Sequence, residues 1–583
     1  MNRGRERMSI GQLALVGGMM LVMLSCADQS GSPGPRSGAP STDPEFGNSA
    51  SINLTYACGN RFVISNARRV PITVTYRVVG SGEDGTADLA AAPRMDPAIT
   101  EQTVEVRTSG AVELYLNGRH LVTRDNGGAP CSAESASAPA LATLSGSQAG
   151  SWSAPFSWPI VAIHMVLLPD QRILSLGRTG DPQVWDPASG KFTAVPSPAW
   201  LFCAGQAVLP DGRVLFAGGH IDYDYGLPNT TVFDPATTSW ISSALMARGR
   251  WYPTATTLAN GDVLIVAGRD QESMEVTLPE VWSKGAIRQL TTASRVLPYY
   301  PRMFLTSKGT VFVAGSPVAS RYVVTTGTGA WKGGPKHVYA SARDYGAAVM
   351  YEQGKILYAG GARTTNTAEV IDLDAATPAW NWTGSMSVPR RHLNLTVLPT
   401  GEVLATGGVG GTKFNDPTKA VYTAELWNPA TGQWTVLSSN QIMRDYHGTA
   451  LLLPDGRVLV AGGSESAGTP NQKNAEIFSP PYLFRGARPT IASAPATLRY
   501  GQSFQVGTPN ASSIAKVSLI RLGAVTHAFD QNSRRLRLTF SVNATGLTVI
   551  APSTGNIAPP GHYMLFIVNG TGVPSVARIV KIS

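Results

Sequence analysis

Cysteine, tyrosine and histidine recur at one position of a repeated pattern in the middle of this chain. Counting back nine residues from each recurring turn gives Ala162, Cys203, Tyr252, Tyr300, Tyr345, His392 and His447. Each of these side chains has an apolar body able to pack, yet hydrophobic packing alone would not select Cys, three Tyr and two His at one register. Imidazole nitrogens and phenolate oxygens in a roughly square arrangement suit copper(II) better than zinc, which prefers Cys/His tetrahedra. No C-x-x-C, H-E-x-x-H, G-x-S-x-G or phosphate-loop pattern competes.

The elements that must carry these residues are hairpins. Asp445 to Gly463, DYHGTALLLPDGRVLVAGG, shows two apolar-alternating strands around a Pro454-Asp455-Gly456 turn. Related stretches place Gln171, Gly212, Gly261, Gly309, Gly354, Gly401 and Gly456 in register, 41 to 55 residues apart. That period belongs to kelch-type blades of four strands, and seven of them must close into a ring because one blade cannot bury its own faces. Equivalent positions on the innermost strands would then ring one mouth of the central channel.

Composition agrees with a turn-rich all-β protein. The 583 residues include 61 Gly and 41 Pro, with 43% hydrophobic and 15% charged residues. The net charge of +9 is spread without a Lys/Arg run, which argues against nucleic-acid binding. Residues 1–26 read as a signal peptide: Arg3, Arg5 and Arg7, an apolar stretch from Ile10 to Leu24, then Met23-Leu24-Ser25-Cys26, similar to a bacterial lipobox. The expectation is export from a bacterial cell, either as a lipoprotein lipidated at Cys26, its only membrane attachment, or secreted. Cys58 and Cys131 bracket one small domain and suit a disulfide. Cys203 is then left without a partner.

In order, the chain reads as signal 1–26, flexible linker 27–50, small β-sandwich 51–132, linker 133–150, propeller 151–486 and an immunoglobulin-like β-sandwich 487–583. The last domain is expected from the runs FQVGT, KVSLIRL, LRLTFSV, YMLFIVN and ARIVKI. His120 reads as a surface residue, and His164, His220, His337 and His562 have no partner evident from sequence.

From about Gly150 to Ser583 the sequence resembles the galactose oxidase and glyoxal oxidase family of mononuclear copper-radical enzymes. The resemblance rests on LFCAGQAVLPDG, GRWYPTAT, RDYHGTALLLPDGRV, VSLIRLGAVTHAF and MLFIVNGTGVPSVARIV. It implies one copper ion held by Tyr252, Tyr446, His447 and His527, and a Cys203–Tyr252 thioether radical cofactor. It also implies Tyr446 as the axial base. The implied activity is oxidation of a small aldehyde or primary alcohol with O2, releasing H2O2, by a monomer. Copper accepts one electron at a time, so a phenol must hold the second oxidising equivalent. Because His527 lies in the last domain, that sandwich must send a loop into the channel. Trp251, Tyr300, Arg302, Tyr345 and His392 are candidates for the substrate pocket. Galactose oxidase stacks a Trp on its cross-link from a stretch that here reads AGRDQESME and has none; Trp251 adjoins Tyr252, but neighbours on a strand point to opposite faces. The alternative is a non-catalytic kelch propeller binding a glycan or protein at the cell surface.

Overall fold

The computed structural model describes residues 52–58, 61–66, 71–89, 100–106, 110–125, 145–315, 319–362, 364–466 and 469–583. The signal segment 1–26 with Cys26, the linker 27–50 and Cys131 lie outside the described residues, and with them the lipidation and the Cys58–Cys131 disulfide. The chain divides into a compact unit ending at Pro130 and a second one from Cys131 onward.

In the first unit, Ile52–Cys58, Arg61–Asn66 and Thr100–Glu105 form one sheet. Ile72–Val78, Asp84–Leu89, Val112–Leu116 and Arg119–Arg124 form the other. Alternation turns Ile72, Val74 and Val78 inward, into one core with Leu54, Phe62, Ile64, Val104 and Leu114.

The second unit is a β-propeller with a C-terminal β-sandwich. Among the described residues, seven antiparallel blade sheets follow one another; five have four strands, the first has six because a C-terminal hairpin extends its four, and the seventh is built on three strands of its own. Their innermost strands are His164–Leu167, Gly205–Val208, Thr254–Thr257, Arg302–Leu305, Ala347–Glu352, Asn394–Val397 and Gly448–Leu452. The seventh sheet is completed from the start of the unit, where Ser151–Trp152 and Phe156–Ser157 pair with Asn474–Ser479. That exchange ties the two ends of the ring together. The turn register read from sequence holds at every repeat: Gln171 and the six glycines from Gly212 to Gly456 all have positive φ.

Four blades share a buried ion pair that the hydrophobic pattern did not reveal. Arg250–Glu280, Arg343–Glu369, Arg390–Glu425 and Arg444–Glu476 lie 2.5–3.0 Å apart. Each arginine also donates to the carbonyl that ends its blade's second strand or lies just beyond it, at Ala267, Gly360, Gly407 and Gly462. The signal was present in the repeats as PEVW, AEVI, AELW and AEIF. These arginines sit two residues before Tyr252, Tyr345, His392 and Tyr446, so each pair fixes the loop that delivers a ring residue.

In the C-terminal domain, Thr497–Leu498, Arg578–Ile582, Gly561–Asn569, Ile514–Arg521 and Arg535–Leu538 form one sheet. Ser503–Gly507, Gly546–Ile550 and Phe540–Asn543 form the second. The run LRLTFSV, expected as one strand, breaks at Thr539 and contributes to both sheets. Between these strands the hairpin Ala524–Thr526/Phe529–Asp530 leaves the sandwich and pairs with His164–Leu167 of the first blade.

Removing one member of a fully buried pair strands the other charge. Glu425→Ala is expected to cost about 3–5 kcal/mol of stability, read as a lower midpoint in denaturant unfolding.

Candidate metal centre

Six of the seven ring positions adopt a backbone conformation that side chains other than glycine rarely take. Cys203, Tyr252, Tyr300, Tyr345, His392 and His447 all have φ between 44° and 67°. Backbone hydrogen bonds pass between blades at this level: Tyr252 N donates to Cys203 O at 2.9 Å, Tyr300 N to Tyr252 O at 3.0 Å and His392 N to Tyr345 O at 2.9 Å. The left-handed turn just before each innermost strand aims these side chains away from the blade and toward the axis.

Four potential donors meet there. The Tyr252 and Tyr446 hydroxyls share a hydrogen bond. The His527 ring lies 4.6 Å from the Tyr252 ring and 4.6 Å from the His447 ring, nearly perpendicular to the latter. The Tyr446 and His447 rings are 3.7 Å apart. His447 and His527 are buried, and neither Nε2 has a hydrogen-bond partner. Their Nδ1 atoms are engaged: His447 Nδ1 donates to Ser464 O, and His527 Nδ1 shares a hydrogen bond with Thr526 Oγ1 at 2.6 Å. For His447 this fixes the tautomer that leaves the Nε2 lone pair free, as outer partners do for metal-binding histidines.

Burial sets the charge state. It pushes His447 down to about 3 and His527 well below the usual imidazole value, and it raises both phenols well above theirs. Without a cation the centre is therefore two neutral imidazoles and two protonated phenols. No group of three His, Cys, Asp or Glu among the described residues is placed to hold a metal, so a metal ion here needs the tyrosine oxygens. The N2O2 donor set, with two buried imidazole Nε2 atoms lacking any hydrogen-bond partner, fits copper(II).

Cys203 is fully buried, and its thiol meets the Tyr252 and Trp251 side chains. Trp251 departs from the strand-alternation expectation. It lies flat on Tyr252, centroids 3.7 Å apart and planes 8° from parallel. The alternation rule needs extended backbone, and Tyr252 at φ 65° is not extended. Trp251 Nε1 donates to His220 Nδ1 at 3.0 Å, which supplies the partner His220 lacked in the sequence.

The remaining pocket candidates separate into two groups. Tyr300 stacks on His527 at 4.6 Å and donates its hydroxyl to Ala204 O. Arg302 is buried and has its guanidinium on the carbonyls of Tyr300, Gly346 and His527. Both brace His527 rather than face an opening. Tyr345 and His392 instead surround Tyr446, 5.7 and 5.0 Å from its ring. Phe414, 42% exposed and 4.9 Å from Tyr446, completes that side. Sequence reasoning missed Phe414, and also Asn415, which accepts from Tyr446 N and donates to the Asp445 carboxylate; both lie on a loop outside the repeat. His164 is buried against Gln206, with its ring 6.0 Å from His527. His337 pairs with Glu369, and exposed His120 with Thr123.

Comparison with known proteins adds to this geometry. Residues 339–482 match the Glyoxal oxidase N-terminus model, and 488–582 the Galactose oxidase-like, Early set domain. An aldehyde oxidase GLOX of Vitis pseudoreticulata is 32% identical over 441 residues, covering 65% of this chain and 82% of that protein. The chain belongs to the galactose oxidase and glyoxal oxidase family. A galactose oxidase of Gibberella zeae is 31% identical over 439 residues, 68% of this chain; the chain spans 64% of that relative's length. A fungal alcohol oxidase solved in complex with copper shares the fold, with a TM-score of 0.69 at 24% identity over 75% of this chain and all of that one.

These relatives correct one expectation. Export from a bacterial cell, anchored or secreted, is not supported: the similarities are to proteins of a fungus and of plants, among them Arabidopsis thaliana, and point to a eukaryotic origin. A basic start followed by an apolar run is what any export machinery needs in order to bind a leader. It carries no information about the kind of cell.

Acid should destabilise the metal-free protein. A buried histidine with a lowered value contributes fully above its unfolded value of about 6.5 and loses that contribution as pH falls. His164 is pushed to about 4 and His447 to about 3, with His392 and His527 also well down. Asp445 and Asp530, pushed up to about 6, act in the opposite sense, their contribution returning as pH drops through 6. With the histidines outnumbering them, the thermal midpoint is expected to fall between pH 7 and pH 5, as scanning calorimetry would record.

Proposed function

We propose that this chain is a copper-radical oxidase that oxidises small aldehydes or primary alcohols with O2 and releases H2O2. The observation that carries the reading is the pair of buried, unpartnered Nε2 atoms of His447 and His527 beside the hydrogen-bonded phenols of Tyr252 and Tyr446. His447, His527, Tyr252 and Tyr446 are the proposed ligands. When bound, copper supplies a one-electron acceptor and a Lewis acid for the substrate oxygen.

The residues then divide the work. An alcohol becoming an aldehyde loses two electrons and two protons, and O2 takes both pairs to become H2O2. Tyr252 is the second one-electron acceptor, buried so that its oxidised ring is shielded from solvent. Tyr446 Oη, on the side opened by Tyr345, His392 and Phe414, takes the substrate's hydroxyl proton. Cys203 joins the Tyr252 ring through a thioether: the S–H and one ring C–H are lost, a C–S bond forms, and O2 accepts the two hydrogens. An aldehyde substrate enters as its hydrate, which offers the same C–H and O–H. The domain limits 51–132, 151–486 and 487–583 belong to the same proposal.

Two measurements test it. His527→Ala is expected to lower copper affinity by more than the ~10–100-fold that loss of an outer partner costs, while the far-UV spectrum stays unchanged; full copper occupancy in that variant refutes the ligand set. Mass spectrometry of copper-treated protein is expected to show a Cys203–Tyr252 peptide pair, lighter by two hydrogens than the separate peptides, that survives reduction. A pair that separates on reduction refutes the cofactor.

A further inference from the structure

Tyr252 is 3% exposed, so a bulky molecule in solution has almost no access to it. Two aromatic steps nonetheless connect it with the surface. Trp251 covers it face to face at 3.7 Å. Tyr223 stands 5.2 Å beyond Trp251, edge-on, and is 57% exposed. Indole and phenol are the most readily oxidised aromatic side chains, and here they follow one another without an intervening aliphatic group. The arrangement is held in place. Trp251 is anchored to His220, whose ring is packed by Trp200 at 4.5 Å and Phe202 at 5.0 Å. Tyr223 sits at the tip of a two-stranded ribbon, His220–Asp222 with Tyr225–Gly226, and its backbone N–H donates to Asp222 Oδ1 at 2.7 Å. The side of Tyr446 assigned to substrate is walled by other residues, Tyr345, His392 and Phe414.

We propose that Trp251 and Tyr223 form an electron-transfer route through which Tyr252 exchanges single electrons with an outer-sphere redox partner at the surface around Tyr223. The proposal rests on the reading of Tyr252 as the redox-active ligand. In the oxidising direction the Tyr252 phenolate gives up one electron and the partner, a one-electron metal-complex oxidant, gains it; no atom is transferred and no bond is made or broken. Tunnelling falls steeply with distance, so two steps of ring-contact length outrun one jump from Tyr252 to solvent. Tyr299 offers a competing exit, 5.3 Å from Tyr252 but edge-on at 78° and with its hydroxyl committed to Asp224. The flat stack at 8° gives Trp251 the larger ring overlap.

The test uses the copper-loaded full chain, first reduced to the radical-free form and then mixed with hexacyanoferrate(III). Appearance of the tyrosyl radical is followed by its optical absorption, with copper content and final radical yield recorded for each variant. Tyr223→Phe keeps the shape and removes the oxidisable group; Trp251→Phe keeps a ring on Tyr252 and removes the indole. Each is expected to slow radical formation by about tenfold or more, and Tyr223→Trp to restore the rate. Wild-type rates in both phenylalanine variants, or slowing only in Tyr299→Phe, would overturn the route. A wild-type protein that binds copper but never forms the radical would instead bring down the copper-radical reading itself.

Discussion

One added strand holds the centre together. His164–Leu167, innermost in the first blade, pairs on its axial edge with Ala524–Thr526 from the C-terminal domain, so that two domains share one sheet. The next residue is His527. Its backbone turns sharply, with φ 47° at His527 and 62° at Ala528. The turn is secured from both domains: Asp530 accepts from Ala524 N and Asn532 N, Arg302 reaches across to His527 O, and Gln531 Oε1 accepts from Gln206 N and Ala255 N. Every other donor of the centre belongs to the propeller. Without the shared strand, a N2O2 set would fall to three donors and the channel would lose the residues that fill it.

Local strain gives the propeller its share of the geometry. Left-handed backbone at a non-glycine residue costs on the order of 1–3 kcal/mol, and six ring positions adopt it. The conformation persists because the loop before each ring residue is constrained. At Tyr252, Tyr345, His392 and Tyr446–His447 the buried Arg/Glu pair grips the approach from below. The benefit is direction: from extended backbone a side chain there would lie on a blade face, whereas from the left-handed turn it points at the axis. The same turn lets Trp251 lie on its own neighbour, Tyr252.

Charge is arranged in two contrasting ways. Around the blades, four buried arginines, Arg250, Arg343, Arg390 and Arg444, are each matched by a glutamate, so full charges are tolerated. At the axis the four donor groups are neutral, because burial holds the imidazoles of His447 and His527 unprotonated and the phenols of Tyr252 and Tyr446 protonated. A metal cation entering there meets lone pairs that no protein donor satisfies, and it can displace the phenolic protons. Two neutral imidazoles beside two phenols are thus suited to a cation.

Much of this was legible in the chain itself. The hairpin period announces the blades, since alternation and turn residues are local properties, and the turn register placed Cys203, Tyr252 and His447 at one level. Residue type alone then suggested copper rather than zinc. Tertiary structure decided what the period could not encode. Which side chains face an opening depends on what loops outside the repeat cover: Phe414 and Asn415 come from such a loop, while Arg302 and Tyr300, equally plausible in sequence, are used up in bracing His527. Trp251 shows the converse, a position left open by strand alternation and decided by the φ of one residue, Tyr252. The resemblance around His527 implied that the last domain sends a loop into the channel, but the pairing of Ala524–Thr526 with a strand some 360 residues away was not encoded, because strand edges recognise backbone, and backbone carries no side-chain identity.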